Sequence, residues 1–174
     1  TGRARRRLAQ RRQLAGSRKR PPADRAAAAS GRLSGVGRFV AQVPVRWTDQ
    51  DSYRHINHAR TVTLLEEARI ALLFDAAAAE GVTAFSAGLL VAGLNVDYRR
   101  QVPYRPRLRV AMWVDELRAA SFRIHYEMHD GPAAEDPVAT TAWTRMAMVD
   151  LDANRPRRLS APEREFLARW TVQA

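Results

Sequence analysis

An α+β fold, in which an antiparallel sheet wraps around one long central helix and a short helix closes the chain, follows from three observations. Apolar alternation at a period of two marks a series of strands. One Leu/Ala/Glu/Arg-rich stretch free of Gly and Pro marks a helix between the first two of them, and Ser160-Ala161-Pro162-Glu163 has the form of a helix start near the C-terminus. A chain of 174 residues has room for one domain with a hydrophobic core, and not for two ordinary ones.

The first strand is expected from Phe39, with Ala41, Val43, Val45 and Trp47 on the same face. Pro44 lies within it, and because proline has no N–H to give to a ladder, this strand belongs at a sheet edge. The helix is expected over residues 60–80, stopped by Gly81. Val62, Leu65, Leu72 and Leu73 cluster on its wheel, while Leu64, Ile70, Ala71 and Phe74 take other sides, so burial on several faces is expected. Four strands follow. Leu90, Ala92, Leu94, Val96 and Tyr98 mark one, and Leu108, Val110, Met112 and Val114 the next. Phe122, Ile124, Tyr126 and Met128 mark a third, and residues 138–149 form a long last strand after a turn-rich stretch at 130–137. The closing helix runs to about Trp170, with Pro162 tolerated in its first turn. No internal repeat is visible.

Charge divides the chain in two. Through Val36 there are eleven basic side chains against Asp24 alone, so nearly all of the net charge of +11 lies in the first 36 residues. That segment holds Pro21-Pro22, an alanine run and hardly a large apolar side chain, too little to offset the entropy of ordering it. Residues 1–36 are therefore expected to be a disordered basic tail and 37–174 the folded domain. Nucleic-acid or anionic-lipid binding by the tail is the functional alternative, but no aromatic side chains lie among its arginines to stack on bases, and a solvated extension is favoured. The near-neutral remainder argues against a nucleic-acid grip by the folded surface. Without cysteine there is no disulfide framework, thiolate metal site or Cys nucleophile. No apolar run reaches the roughly 20 residues of a membrane span, and the Arg-rich opening leads into no apolar segment of a secretory signal. A cytoplasmic protein is expected.

Residues 46–58 join the first strand to the helix as Arg46-Trp47-Thr48-Asp49-Gln50-Asp51-Ser52-Tyr53-Arg54-His55-Ile56-Asn57-His58. The motifs Trp47-Thr48-Asp49-Gln50-Asp51, His55-Ile56-Asn57 and Leu65-Glu66-Glu67-Ala68-Arg69, with Asp97-Tyr98-Arg99-Arg100 and Pro103-Tyr104 further on, resemble the signature of the 4-hydroxybenzoyl-CoA thioesterase family. The resemblance spans residues 39–170. It implies a hot-dog fold, hydrolysis of acyl-CoA thioesters without metal or other cofactor, a catalytic carboxylate at Asp51 and an oxyanion donor in the backbone N–H of about His58. Relatives commonly carry glycine at the position of Arg54 and a second asparagine at that of His58.

Simple chemistry agrees with these assignments. Asn57 is a favourable N-cap, so the amides of His58 and its neighbours are unpaired donors at the positive end of a helix. A tetrahedral thioester intermediate puts negative charge on oxygen, which such donors stabilise. Asp51, a few residues upstream, has two open roles: activating water or attacking the carbonyl itself. Asp49 suits loop geometry. Glu66 is placed on an apolar face, where pairing with Arg69 at i+3 is favoured over catalysis. Because some hot-dog thioesterases place their acid on this helix, Glu66 and Glu67 are secondary candidates. Arg99, Arg100, Arg105 and Arg107 surround a strand exit and are candidates for the CoA phosphates, with a solvated rim as the alternative. His55 and His58 lack a third ligand and an H-E-x-x-H arrangement, so no metal site is expected.

Two other functions compete. A hot-dog hydratase or dehydratase would pair a histidine with an acid, for which His55 is the nearby candidate; a non-catalytic acyl-thioester-binding protein would need neither. The resemblance also implies a homodimer or homotetramer, paired along the edge strand at residues 89–99.

Overall fold

The computed structural model describes residues 32–33 and 37–172. The expected tail falls mostly outside these residues, but Arg32–Leu33 (β1), assigned to it by composition, pairs with Phe39 and Val40 of the next strand. The strands β2 (Phe39–Pro44), β3 (Leu89–Tyr98), β4 (Arg107–Asp115), β5 (Ser121–His129), β6 (Val138–Asp150) and β7 (Arg155–Pro156) complete a seven-stranded antiparallel sheet. Its order is β1-β2-β4-β5-β6-β3, with β7 beside β6. β3, second among the long strands in sequence, is thus the far edge. Between β2 and β3 runs the central helix α1 (His58–Ile70), continued by a π-helical segment, Ala71–Ala76, and a last turn α2 (Ala77–Ala79). The C-terminal helix is α3 (Ala161–Ala168).

The core lies between α1 and one face of the sheet. Leu108, Val110, Met112 and Val114 of β4 and Phe122, Ile124, Tyr126 and Met128 of β5 are all essentially inaccessible, as their alternation predicts. From the helix come Leu64, Leu65, Ala68, Ala71, Leu72, Leu73 and Ala77. Phe74 is exposed and Val62 and Ile70 are only partly buried, so α1 buries one broad face rather than several. The π segment is an interruption that residue composition does not disclose; Ala71, Leu72 and Leu73 within it are all buried. Phe39, Phe166 and Trp170 pack edge-to-face at one end, Phe85 against Phe122 and Phe166 beside them, tying α3 to the sheet.

Several expectations shift. β2 ends at Pro44, and Trp47 lies beyond it in a short 3₁₀ turn (Trp47–Asp49), 71% exposed instead of sharing the strand's buried face. Since β1 covers only Phe39 and Val40, Pro44 still lies where the described sheet has no outer neighbour. In β3 a bulge between Val91 and Gly93 leaves Ala92 without a partner. Leu90 opposite Ala147 therefore points away from α1, whereas Leu94 opposite Thr144, Val96 and Tyr98 point towards it. One uninterrupted alternation had placed all of them together.

Candidate active site

Two chain segments, with Thr140 of β6, build a cleft of about 390 Å³ at the start of α1. The loop preceding the helix supplies Asp51, Tyr53, His55 and Ile56, the helix itself His58 and Thr61, and the exit of β3 supplies Tyr98, Arg99, Arg100, Gln101 and Val102. Short backbone links close the loop. Gln50 and Ile56 form a bridge, Asp51 N–H donates to the His55 carbonyl at 2.8 Å, and Asn57 N–H donates to the Asp49 carbonyl at 2.9 Å. The loop is docked on the β3 exit through Ile56 N–H to Val102 C=O at 2.8 Å and a His55–Pro103 bridge.

The two aspartates have different surroundings. Asp49 is buried, and its Oδ2 accepts the Arg46 amide at 2.7 Å, closing the 3₁₀ turn; Arg60 stands 4.0 Å from its other oxygen. Asp51 is half-buried and lines the cleft. Its Oδ1 accepts the amides of Tyr53 at 2.8 Å and His55 at 3.2 Å, which fix the carboxylate's orientation. Among the described residues, Oδ2 has no hydrogen-bond donor. Arg54 completes the turn at φ +64°, in the left-handed region where glycine carries no Cβ penalty.

At the helix start Asn57 is the N-cap, its side-chain oxygen accepting the Ala59 amide at 2.9 Å. The Asn57 carbonyl accepts the Thr61 amide at 2.9 Å and the Thr61 hydroxyl at 3.4 Å. By helix geometry the His58 N–H has no intrahelical acceptor. The structure thus gathers Asp51, Asn57 and His58 at one place.

The remaining candidates separate. Glu66 is exposed rather than on a buried apolar face, and it pairs with Arg69 at 3.6 Å; Glu67 is half-buried one position on, and neither lines the cleft. Arg99 and Arg100 line it, Arg99 donating to Thr141 Oγ1 at 3.2 Å and Arg100 pairing with Asp130 at 3.1 Å. Arg105 and Arg107 are exposed and off the cleft. Among the described residues no group of three His, Asp or Glu could hold a metal ion. His125 pairs with Asp115 at 2.8 Å, on the sheet face turned away from α1, while among the described residues the His55 side chain has no carboxylate partner. Tyr98, Thr61 and Thr140 also line the cleft but were not among the sequence candidates. The tyrosine at the end of an apolar strand next to Arg99-Arg100 was the available signal.

A sheet curled around a central helix, with a carboxylate and the helix N-terminus meeting at one cleft, defines a hot-dog-fold protein. The Thioesterase-like superfamily profile matches residues 45–171, and the chain belongs to that family; it is a thioester hydrolase. It is similar to the long-chain acyl-CoA thioesterase FadM of Escherichia coli (strain K12), with 28% identity over 126 residues, 72% of this chain and 94% of that protein. The probable thioesterase YbaW of Escherichia coli superposes with a TM-score of 0.62 at 26% identity, covering 76% of this chain and 98% of the other. Slr0204, a 1,4-dihydroxy-2-naphthoyl-CoA thioesterase from Synechocystis, shares the fold with a TM-score of 0.64 at 19% identity, over 76% of this chain and 96% of its own. Among the described residues no helix is long and apolar enough to cross a membrane.

Proposed function

We propose that this protein hydrolyses an acyl-CoA to the free acid and CoA, in the manner of the 4-hydroxybenzoyl-CoA thioesterases, with Asp51 as the essential carboxylate and the His58 N–H as oxyanion donor. One observation carries the proposal: an aspartate oriented by two backbone amides on one oxygen, with the other oxygen free, shares a cleft with the first amide of a helix. In the general-base form, Asp51 takes a proton from water as the water oxygen bonds to the thioester carbon. The C=O electrons move onto oxygen, where the His58 amide and the helix dipole meet the charge. Collapse restores the C=O and breaks the C–S bond, and the departing thiolate takes up the proton that Asp51 removed from water. In the nucleophilic form, Asp51 bonds to the carbonyl carbon, CoA leaves, and water hydrolyses the resulting anhydride. Arg99 and Arg100 at the cleft rim supply charge-assisted donors for the phosphates of CoA.

The similarity to a long-chain acyl-CoA thioesterase makes fatty acyl-CoA the first substrate to try. A thiol-reagent assay over short, long and aromatic acyl-CoA esters tests the proposal. CoA release by the wild type and its loss in Asp51→Asn are expected, and no release from any of these esters overturns the proposal.

A dimer accompanies this proposal. β3 is a sheet edge among the described residues, and it exposes Leu90 and Val91 (each 52%), Leu94 and Tyr98 on its two faces. Pairing with the same strand of a second copy about a two-fold axis covers both the ladder and this apolar surface.

A further inference from the structure

We infer that Tyr98 is a positioning residue for the oxyanion donor, holding one peptide unit at the helix start that Asn57 holds from its other end. The proposal rests on the assignment of the His58 N–H to that role. The Tyr98 hydroxyl donates to the His58 carbonyl at 3.0 Å, and the Ala59 N–H of the same peptide unit donates to Asn57 Oδ1 at 2.9 Å. The preceding unit, Asn57–His58, has its carbonyl engaged by the amide and hydroxyl of Thr61 at 2.9 and 3.4 Å. Two consecutive peptide planes are therefore fixed by three side chains, and among the described residues the polar group left over is the His58 N–H.

Helix stability alone does not call for the tyrosine. The His58 carbonyl already lies within reach of the i+4 amide in an α-helix that starts at His58, so Tyr98 adds a second donor to a satisfied acceptor. Tyr98 is 51% exposed and comes from the exit of β3, forty positions from His58, so the bond sets the helix start against the sheet edge across the cleft. Desolvation raises the Tyr98 pKa, which keeps the phenol protonated as a donor. An oxyanion donor works by being aimed before charge develops, so small rotations of the 57–59 peptides weaken transition-state binding and leave ground-state binding alone.

The test is steady-state hydrolysis by the full chain, using whichever acyl-CoA the wild type turns over. Tyr98→Phe keeps the ring and deletes the donor; the expectation is kcat lowered by about 10-fold with KM and thermal midpoint unchanged. Asn57→Ala frees the other end of the peptide, and the double variant should fall little below the weaker single, because both groups hold one plane. Wild-type kcat in Tyr98→Phe, an effect on KM alone, or multiplicative losses in the double variant overturns the positioning role. Asp51→Asn run alongside separates the two levels. If it is inactive while Tyr98→Phe is unaffected, only the role of Tyr98 falls; if it retains wild-type turnover, the underlying site assignment falls and the Tyr98 proposal with it.

Discussion

Asp49 and Asp51 are two residues apart and chemically identical, and their hydrogen bonds separate them. Asp49 spends an oxygen on the Arg46 amide inside a turn, a bond that an asparagine oxygen can also accept. Asp49→Asn should therefore keep most of its activity. Asp51→Asn retains an acceptor for the Tyr53 and His55 amides but loses the charge and basicity of the free oxygen. Turnover should drop by roughly 100-fold or more with KM little changed, as expected for loss of an acid–base group. Parallel kinetics and circular dichroism of the two variants check this pair, and near-wild-type hydrolysis by Asp51→Asn would transfer attention to Glu66 and Glu67. The D-x-D spacing was legible in the sequence. Which carboxylate faces the cleft was not: Asp51 lines it, while Asp49 is buried in the preceding turn.

At the scale of the element, α3 is held by a buried ionic cap. Ser160 and Glu163 satisfy each other's amides as a capping box, and Arg157 clasps Glu163 at 2.7 and 2.9 Å while Glu163 has no exposed surface. Desolvation pushes the Glu163 pKa up, but the bonds from Arg157 and Ser160 outweigh it, and the net shift is downward. A folded-state pKa below the unfolded one contributes stability that is present above the unfolded value of 4.5 and is lost as pH falls through the folded value. Glu163→Gln leaves Arg157 without its charge partner and should cost about 3 kcal/mol at neutral pH. That gap should narrow as wild type and variant are compared at progressively lower pH below 4.5, which urea unfolding at a series of pH values will show. A gap independent of pH would mean that packing, not ionisation, sets the difference. The capping box was readable from Ser160-Ala161-Pro162-Glu163; Arg157 as its partner was not, because nothing in the spacing says that β7 turns its neighbour back onto the helix.

For the whole molecule, the exposed edge of β3 and the basic N-terminal stretch lead to different experiments. We expect light scattering to give twice the 19.6 kDa mass of the chain or a larger multiple. Leu94→Lys, on an exposed edge position, should dissociate the assembly and lower turnover, since the strand proposed to pair the copies also ends at Tyr98 and the cleft. An active monomer would sink this expectation. Removing residues 1–31 should leave hydrolysis nearly unchanged, because their composition supports no core. Extending the deletion through residue 36 removes β1 and its pairing with Phe39 and Val40, so a lower thermal midpoint is expected from the longer truncation than from the shorter.

The order strand–helix–strands, the buried faces of β4 and β5, the N-cap at Asn57 and the cap of α3 were determined by the sequence alone. Each is a local rule, a period of two or a side chain meeting an amide two or three residues away. The tertiary structure decided what depends on distant partners. It placed β3 at the sheet edge beside β6, flipped Leu90 across the bulge at Ala92, and exposed Trp47 and Glu66. It also brought Tyr98 to the carbonyl of His58. Contacts between residues forty apart are set by how the sheet closes around the helix, and no periodicity along the chain encodes that closure.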